Sequence, residues 1–175
     1  MIAYFVALFG VLGHVIPHPW LPFTTVGGTM LYFGARRPAW QGIFPVAALA
    51  AADYYLTTSV YNFPFAVREY LLTWAWYAAV IVLGAVLLRG KATIARVVSG
   101  TLLASTSFFL VSNYAVWVGQ NGMYPHTFSG LMTCYAAGLP FYRNDVVSTA
   151  IIAGLAFGVP PLMKQYEASK QTQIP

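Results

Sequence analysis

The sequence predicts an all-α integral membrane protein with about six transmembrane helices and both termini in the cytoplasm. Three observations predict it. Of 175 residues, 59% are hydrophobic and only 7% are charged, whereas soluble domains carry roughly 25% charged residues and need them to solvate their surfaces. The apolar residues fall into runs separated by polar connections, the pattern of helices in lipid. The nine lysines and arginines divide very unevenly between alternate connections. A single helical domain is expected over residues 1–163, followed by a polar cytoplasmic tail, 164–175, reading KQYEASKQTQIP.

The first apolar run covers about 2–16. No basic residue precedes it and no small-x-small site follows, so it reads as a retained helix and not a cleaved leader. The second, about 22–35, would reach only about 21 Å at 1.5 Å per residue. It is therefore expected to be tilted, partly re-entrant or extended by ordered loop, with Thr24 or Thr25 capping its start. Runs at about 39–57, 70–88 and 93–118 meet or approach the roughly 20 residues that a hydrocarbon span requires. The stretch HTFSGLMTCYAAGLP, 126–140, is too short to cross and is expected to lie at an interface or dip into the protein, ended by Pro140. The sixth span follows at about 146–163.

With six spans, one side receives the N-terminus, the 36–38 turn, the 89–96 connection and the tail. It holds Arg36, Arg37, Arg89, Lys91, Arg96, Lys164 and Lys170, against Arg68 and Arg143 opposite. Cations gather on the cytoplasmic side of membrane proteins, which sets the orientation. The outer side collects connections 14–25, 58–69 and 119–145, with His14, His18, His126, Trp20, Tyr61, Asn62, Trp117, Gln120, Asn121, Tyr124 and Asn144. Short basic turns inside and long aromatic loops outside describe a protein that receives a small molecule from outside.

Several function classes drop out. No basic patch with regular aromatic interleaving suggests nucleic acid. A single cysteine, Cys134, excludes an intramolecular disulfide and a multi-thiolate metal site. There is no nucleophile elbow, no P-loop lysine and no carboxylate pair within one segment, so a non-enzyme is expected. Asp53, Glu69 and Asp145 stand apart from one another, and energy for active uptake would have to come from another subunit.

Four groups of residues carry candidate chemistry. Asp53 ends the small-residue run AALAAAD; a carboxylate in a membrane segment needs a partner or water, with Asn113 or Tyr61 as expected partners, unless it lies at the interface. Asn113 and Trp117 are four apart and share a helical face, able to hydrogen-bond and stack a flat polar ligand or to join neighbouring helices. His14 and His18 have metal-like spacing, but Pro17 and Pro19 break the helix between them and only distant His126 offers a third imidazole. Ala3 and Ala7, then Gly10 and Gly13, make a smooth face on the first helix, suited to internal packing or to docking on another membrane subunit.

HPWLPFTTVGGTMLYFGA, AADYYLT, FFLVSNYAVW and YPHTFSGLMTCYAAGLPFYRND together resemble a bacterial family of small uncharacterised transport-type proteins. That family is grouped with the substrate-binding S components of energy-coupling factor vitamin transporters. The resemblance implies an S-component-like bundle that binds a small molecule from the extracytoplasmic side of the inner membrane. It also implies an ATPase module as partner, docked on small residues of the first helix, here Ala3 and Ala7. In this reading Asp53 and Asn113 orient the ligand, Trp20, Trp117 and Tyr124 stack on it, and Tyr61, His18, His126 and Thr25 complete the surroundings, with no cofactor. The rival is an accessory subunit of a respiratory or photosynthetic complex, holding lipid or ligating haem or chlorophyll through its histidines.

Overall fold

The computed structural model describes residues 1–16, 23–119 and 123–171, the side chains of Glu69, Lys164 and Gln171 excepted. Within them the chain is helical throughout: α1 (Ile2–Val15), α2 (Val26–Arg36), a 3₁₀ turn (Ala39–Gly42) leading into α3 (Ile43–Tyr55), a π-helical turn (Leu56–Val60), α4 (Val67–Leu88), α5 (Ile94–Val118) and α6 (Phe128–Gln171). No strand occurs among the described residues. Four helical stretches, Ala39–Val60, Tyr70–Leu88, Ile94–Val118 and Phe128–Lys170, are long and apolar enough to cross a membrane, and α1 is a shorter apolar helix.

The largest departure from expectation is α6. The stretch 126–140 is not a separate interfacial piece: residues from Phe128 onward join the expected sixth span in one helix of 44 residues, with Pro140 inside it. A proline within a helix forfeits one backbone hydrogen bond, which flanking apolar packing offsets. The helix also carries part of the expected tail, as far as Gln171.

At the centre lies α2, whose residues Val26 to Ala35 are all buried. A helix apolar on every side must be surrounded, and α1, α4, α5 and α6 all pack on it. That explains its shortness: it is core rather than a poor span. Its closest crossing, with α4, uses glycine on both helices. A Cβ at Gly34 would lie 1.9 Å from the Ile81 carbonyl oxygen, and one at Gly84 would lie 2.2 Å from that of Leu31. Against α1, Thr25 and Thr29 fill the space left by Gly13 and Gly10. Thr25 occupies the N-cap position of α2 but does not cap it; its hydroxyl donates to the Gly10 carbonyl at 2.8 Å. Capping by Thr24 fails as well, because its hydroxyl is directed to Asp145.

The docking role expected of Ala3 and Ala7 is corrected by their position. Both are 4% exposed and belong to the core. Small side chains on this stripe let α1 approach the bundle, while Phe5, Leu8, Phe9 and Leu12 point outward.

Four arginines, Arg36, Arg37, Arg89 and Arg96, mark one end of the bundle. Arg37 donates to Tyr4 Oη at 3.3 Å and lies 4.7 Å above that ring. Arg89 donates to the carbonyls of Gly34 and Arg37, Arg96 to that of Leu87, and Arg36 lies over the rings of Tyr32 and Phe157. These four of the seven cations assigned to one side in the sequence lie at the helix ends around the 36–38 and 89–96 connections.

Candidate functional site

Helix lengths create the site. With 14 and 11 residues, α1 and α2 reach about 21 and 16 Å, whereas α4 and α5, with 22 and 25, reach about 33 and 37 Å. The longer helices continue past the point where α1 ends and α2 begins, and a cavity of about 190 Å³ is left between them. His14 and Gly13 border it from α1, Phe23, Thr24 and Thr25 from the approach to α2, Trp76 and Tyr77 from α4, Phe108 from α5 and Asp145 from α6. At roughly 30 Å³ per water, the space equals about six waters, smaller than a drug-sized pocket.

Among the described residues Asp145 is the one acidic side chain on this wall, and it is 6% exposed. Its Oδ1 accepts from Thr24 Oγ1 at 2.7 Å. Its Oδ2 is buried and has no hydrogen-bond partner among the described residues. One turn on, the Thr149 hydroxyl is also buried and has no partner among the described residues. Two kinds of donor around the cavity are already engaged: Trp76 Nε1 donates to Ser107 Oγ at 2.9 Å, and the hydroxyls of Thr24 and Thr25 go to Asp145 and Gly10. Tyr77 adds a phenol, able to donate or accept.

Behind His14 stands the other buried carboxylate. Asp53 Oδ1 lies 2.8 Å from His14 Nε2, and Asp53 Oδ2 accepts from Trp74 Nε1 at 2.9 Å. Two donors offset the cost of keeping this carboxylate out of water. Local backbone builds the arrangement: α3 loosens into the π turn, where Thr57 donates to the Asp53 carbonyl at 2.7 Å and its hydroxyl meets Tyr70 Oη. The turn is followed by Asn62 in the left-handed region at φ 58°, which asparagine tolerates. Tyr70 and Trp74 stack with Phe65, closing the outer side of Asp53.

The structure divides the residues expected to form one pocket. Thr25 borders the cavity and Asp53 reaches it through His14. The expected Asp53 partners, Asn113 and Tyr61, are corrected to His14 and Trp74. Asn113 instead donates to the Phe109 carbonyl at 2.8 Å and packs against Gly138, where a Cβ would come within 2.4 Å of its Oδ1. It is a helix-packing residue between α5 and α6. Trp117, in the last turn of α5, donates to the Pro125 carbonyl at 2.9 Å and meets His126 edge-on at 5.5 Å; half-buried Tyr124 lies in the connection before α6, while Tyr61 is exposed. Trp20 and His18 lie outside the described residues. Of the alternative metal ligands, His14 is engaged by Asp53 and His126 packs on Trp117, and the described residues contain no group of three His, Cys, Asp or Glu able to hold a metal. A larger groove, about 300 Å³ between α3 and α4, is lined by alanine, glycine, valine and isoleucine only and offers no group to orient a polar ligand.

Asp145, Trp74, Trp76 and Phe108 were missed in the sequence. The signal for Asp145 was present: Asp145, Ser148, Thr149 and Ile152 recur at helical spacing and all are buried. Ending the preceding segment at Pro140 had assigned Asp145 to a loop.

The model of a family of unknown function, DUF6580, matches residues 1–171, and the chain belongs to that family. No curated protein and no solved structure matches it significantly.

Proposed function

We propose that this member of a family of unknown function is a substrate-capture subunit of the bacterial inner membrane. It is not an enzyme and carries no cofactor of its own. It takes up a small molecule from the extracytoplasmic side, in the manner of the S components of energy-coupling factor transporters. The observation that carries the reading is a buried carboxylate with one oxygen unpartnered, on the wall of a ring-lined cavity about halfway along the long helices. A polar group in that position is costly without a partner and is a functional site by default. The arginine-rich end is the cytoplasmic one in this reading, and the end carrying His14, Trp117 and His126 faces outward. A six-helix topology with both termini inside follows, in which the chain crosses between α1 and α3 through the short, centrally packed α2 and its approach.

Energy would come from a separate ATPase module. The apolar face of α1, with Phe5, Leu8, Phe9 and Leu12 exposed, suits lipid or such a subunit. That same face favours the rival reading of an accessory subunit in a larger membrane complex. Purification in mild detergent separates them. A co-purifying ATPase module supports capture for uptake; stoichiometric redox or pigment subunits, or a Soret band in the absorption spectrum, overturn it.

A further inference from the structure

We propose, building on the capture reading, that the cavity's ligand is a small organic cation bearing N–H donors, an ammonium or a protonated heteroaromatic amine. The argument rests on what the wall leaves unsatisfied. Among the described residues, Asp145 Oδ2 is a buried acceptor with no partner, and no lysine or arginine borders the cavity. A buried carboxylate oxygen needs a donor, and a cationic N–H at Oδ2 would make the stronger, charge-assisted bond. Thr24 already satisfies the other oxygen, so one ligand N–H completes the group.

The remaining wall agrees. Trp76, Tyr77 and Phe108 supply aromatic surface, which attracts cations at ring faces. The Trp76 N–H is spent on Ser107, so the indole is left to contribute its ring rather than a donor. His14 also borders the cavity, with its Nε2 engaged by the Asp53 carboxylate. An anionic ligand would meet the Asp145 carboxylate, and a large one would not enter about 190 Å³.

The test uses three probes of nearly one shape: benzylammonium, benzyl alcohol and benzoate, titrated into the detergent-solubilised full chain and followed by calorimetry. Benzylammonium is expected to bind at least about tenfold more tightly than either isostere, the worth of one charge-assisted hydrogen bond. Asp145→Asn is expected to abolish that preference. The unmodified chain alone decides the matter should the variant fail to fold. If benzoate or benzyl alcohol binds as well as benzylammonium, and competes at this cavity, the cation assignment is wrong while capture stands. If none of the three binds and native mass spectrometry finds no small molecule on the gently extracted protein, both proposals fall.

Discussion

Replacing Asp53 by asparagine separates the roles of the two buried carboxylates. Asp53 accepts from His14 Nε2 at 2.8 Å and from Trp74 Nε1 at 2.9 Å. An indole N–H only donates, so in Asp53→Asn the amide oxygen must stay with Trp74 and the NH₂ must face His14. Imidazole adapts by moving its proton to Nδ1 and accepting at Nε2. Both hydrogen bonds survive between neutral groups, and the loss is the difference between charge-assisted and neutral bonds, about 1–2 kcal/mol in all. Trp74→Phe instead leaves Oδ2 of a 6%-exposed aspartate without a donor, about 1.5–3 kcal/mol, beyond the ring surface it gives up against Phe65 and Tyr70. His14→Ala strands Oδ1 and opens the cavity wall, costing about 3 kcal/mol or more. Thermal unfolding in detergent, followed by circular dichroism, should rank the variants His14→Ala, Trp74→Phe, Asp53→Asn from most to least damaging. Asp53→Asn as destabilising as His14→Ala would refute this account of the pair.

Other expectations follow from the packing. Gly34→Ala should destabilise by about 3 kcal/mol, because the added methyl meets the α4 backbone at Ile81 instead of a movable side chain. Gly154→Ala, with nothing within 4 Å of the added Cβ, should be neutral or stabilise by up to about 1 kcal/mol through helix propensity; equal melting temperatures for the two would contradict the crossing geometry. Asn113→Ala should cost about 1 kcal/mol or less, because its amide donates within its own helix to Phe109, and leave probe binding untouched; a tenfold loss of binding would return Asn113 to the pocket. In a Cys134→Ser background, an impermeant thiol reagent should label Tyr124→Cys on intact cells and Lys91→Cys only after permeabilisation, and the reverse would invert the orientation.

The parts of this architecture legible in the sequence are those set by hydrophobic length. The runs at 39–57, 70–88 and 93–118 correspond closely to Ala39–Val60, Val67–Leu88 and Ile94–Val118, because an apolar run of that length has few alternatives to a helix. Alternation of those runs also put His14 and Asp53 on the same side before any contact was visible. What was not legible was register. Nothing in the spacing says that α1 and α3 bring His14 against Asp53 instead of Asn113, since that depends on which small residues let α1 settle against its neighbours. Pro140 misled for a different reason: its local cost is real, but the apolar residues on either side outweigh it, and Asp145 was assigned to a loop in consequence. The short second run was ambiguous from length alone; its glycines and all-round apolarity carried the better signal, that of a core helix.

The central claim is that a small molecule occupies the cavity beside Asp145. Native mass spectrometry of the gently extracted chain, with Asp145→Asn measured alongside, tests it most directly. The account expects a bound species of low mass on the unmodified protein, displaced by excess benzylammonium and depleted in the folded variant. An unmodified chain that flies only with lipid, or a bound species equally abundant in both proteins, would contradict it.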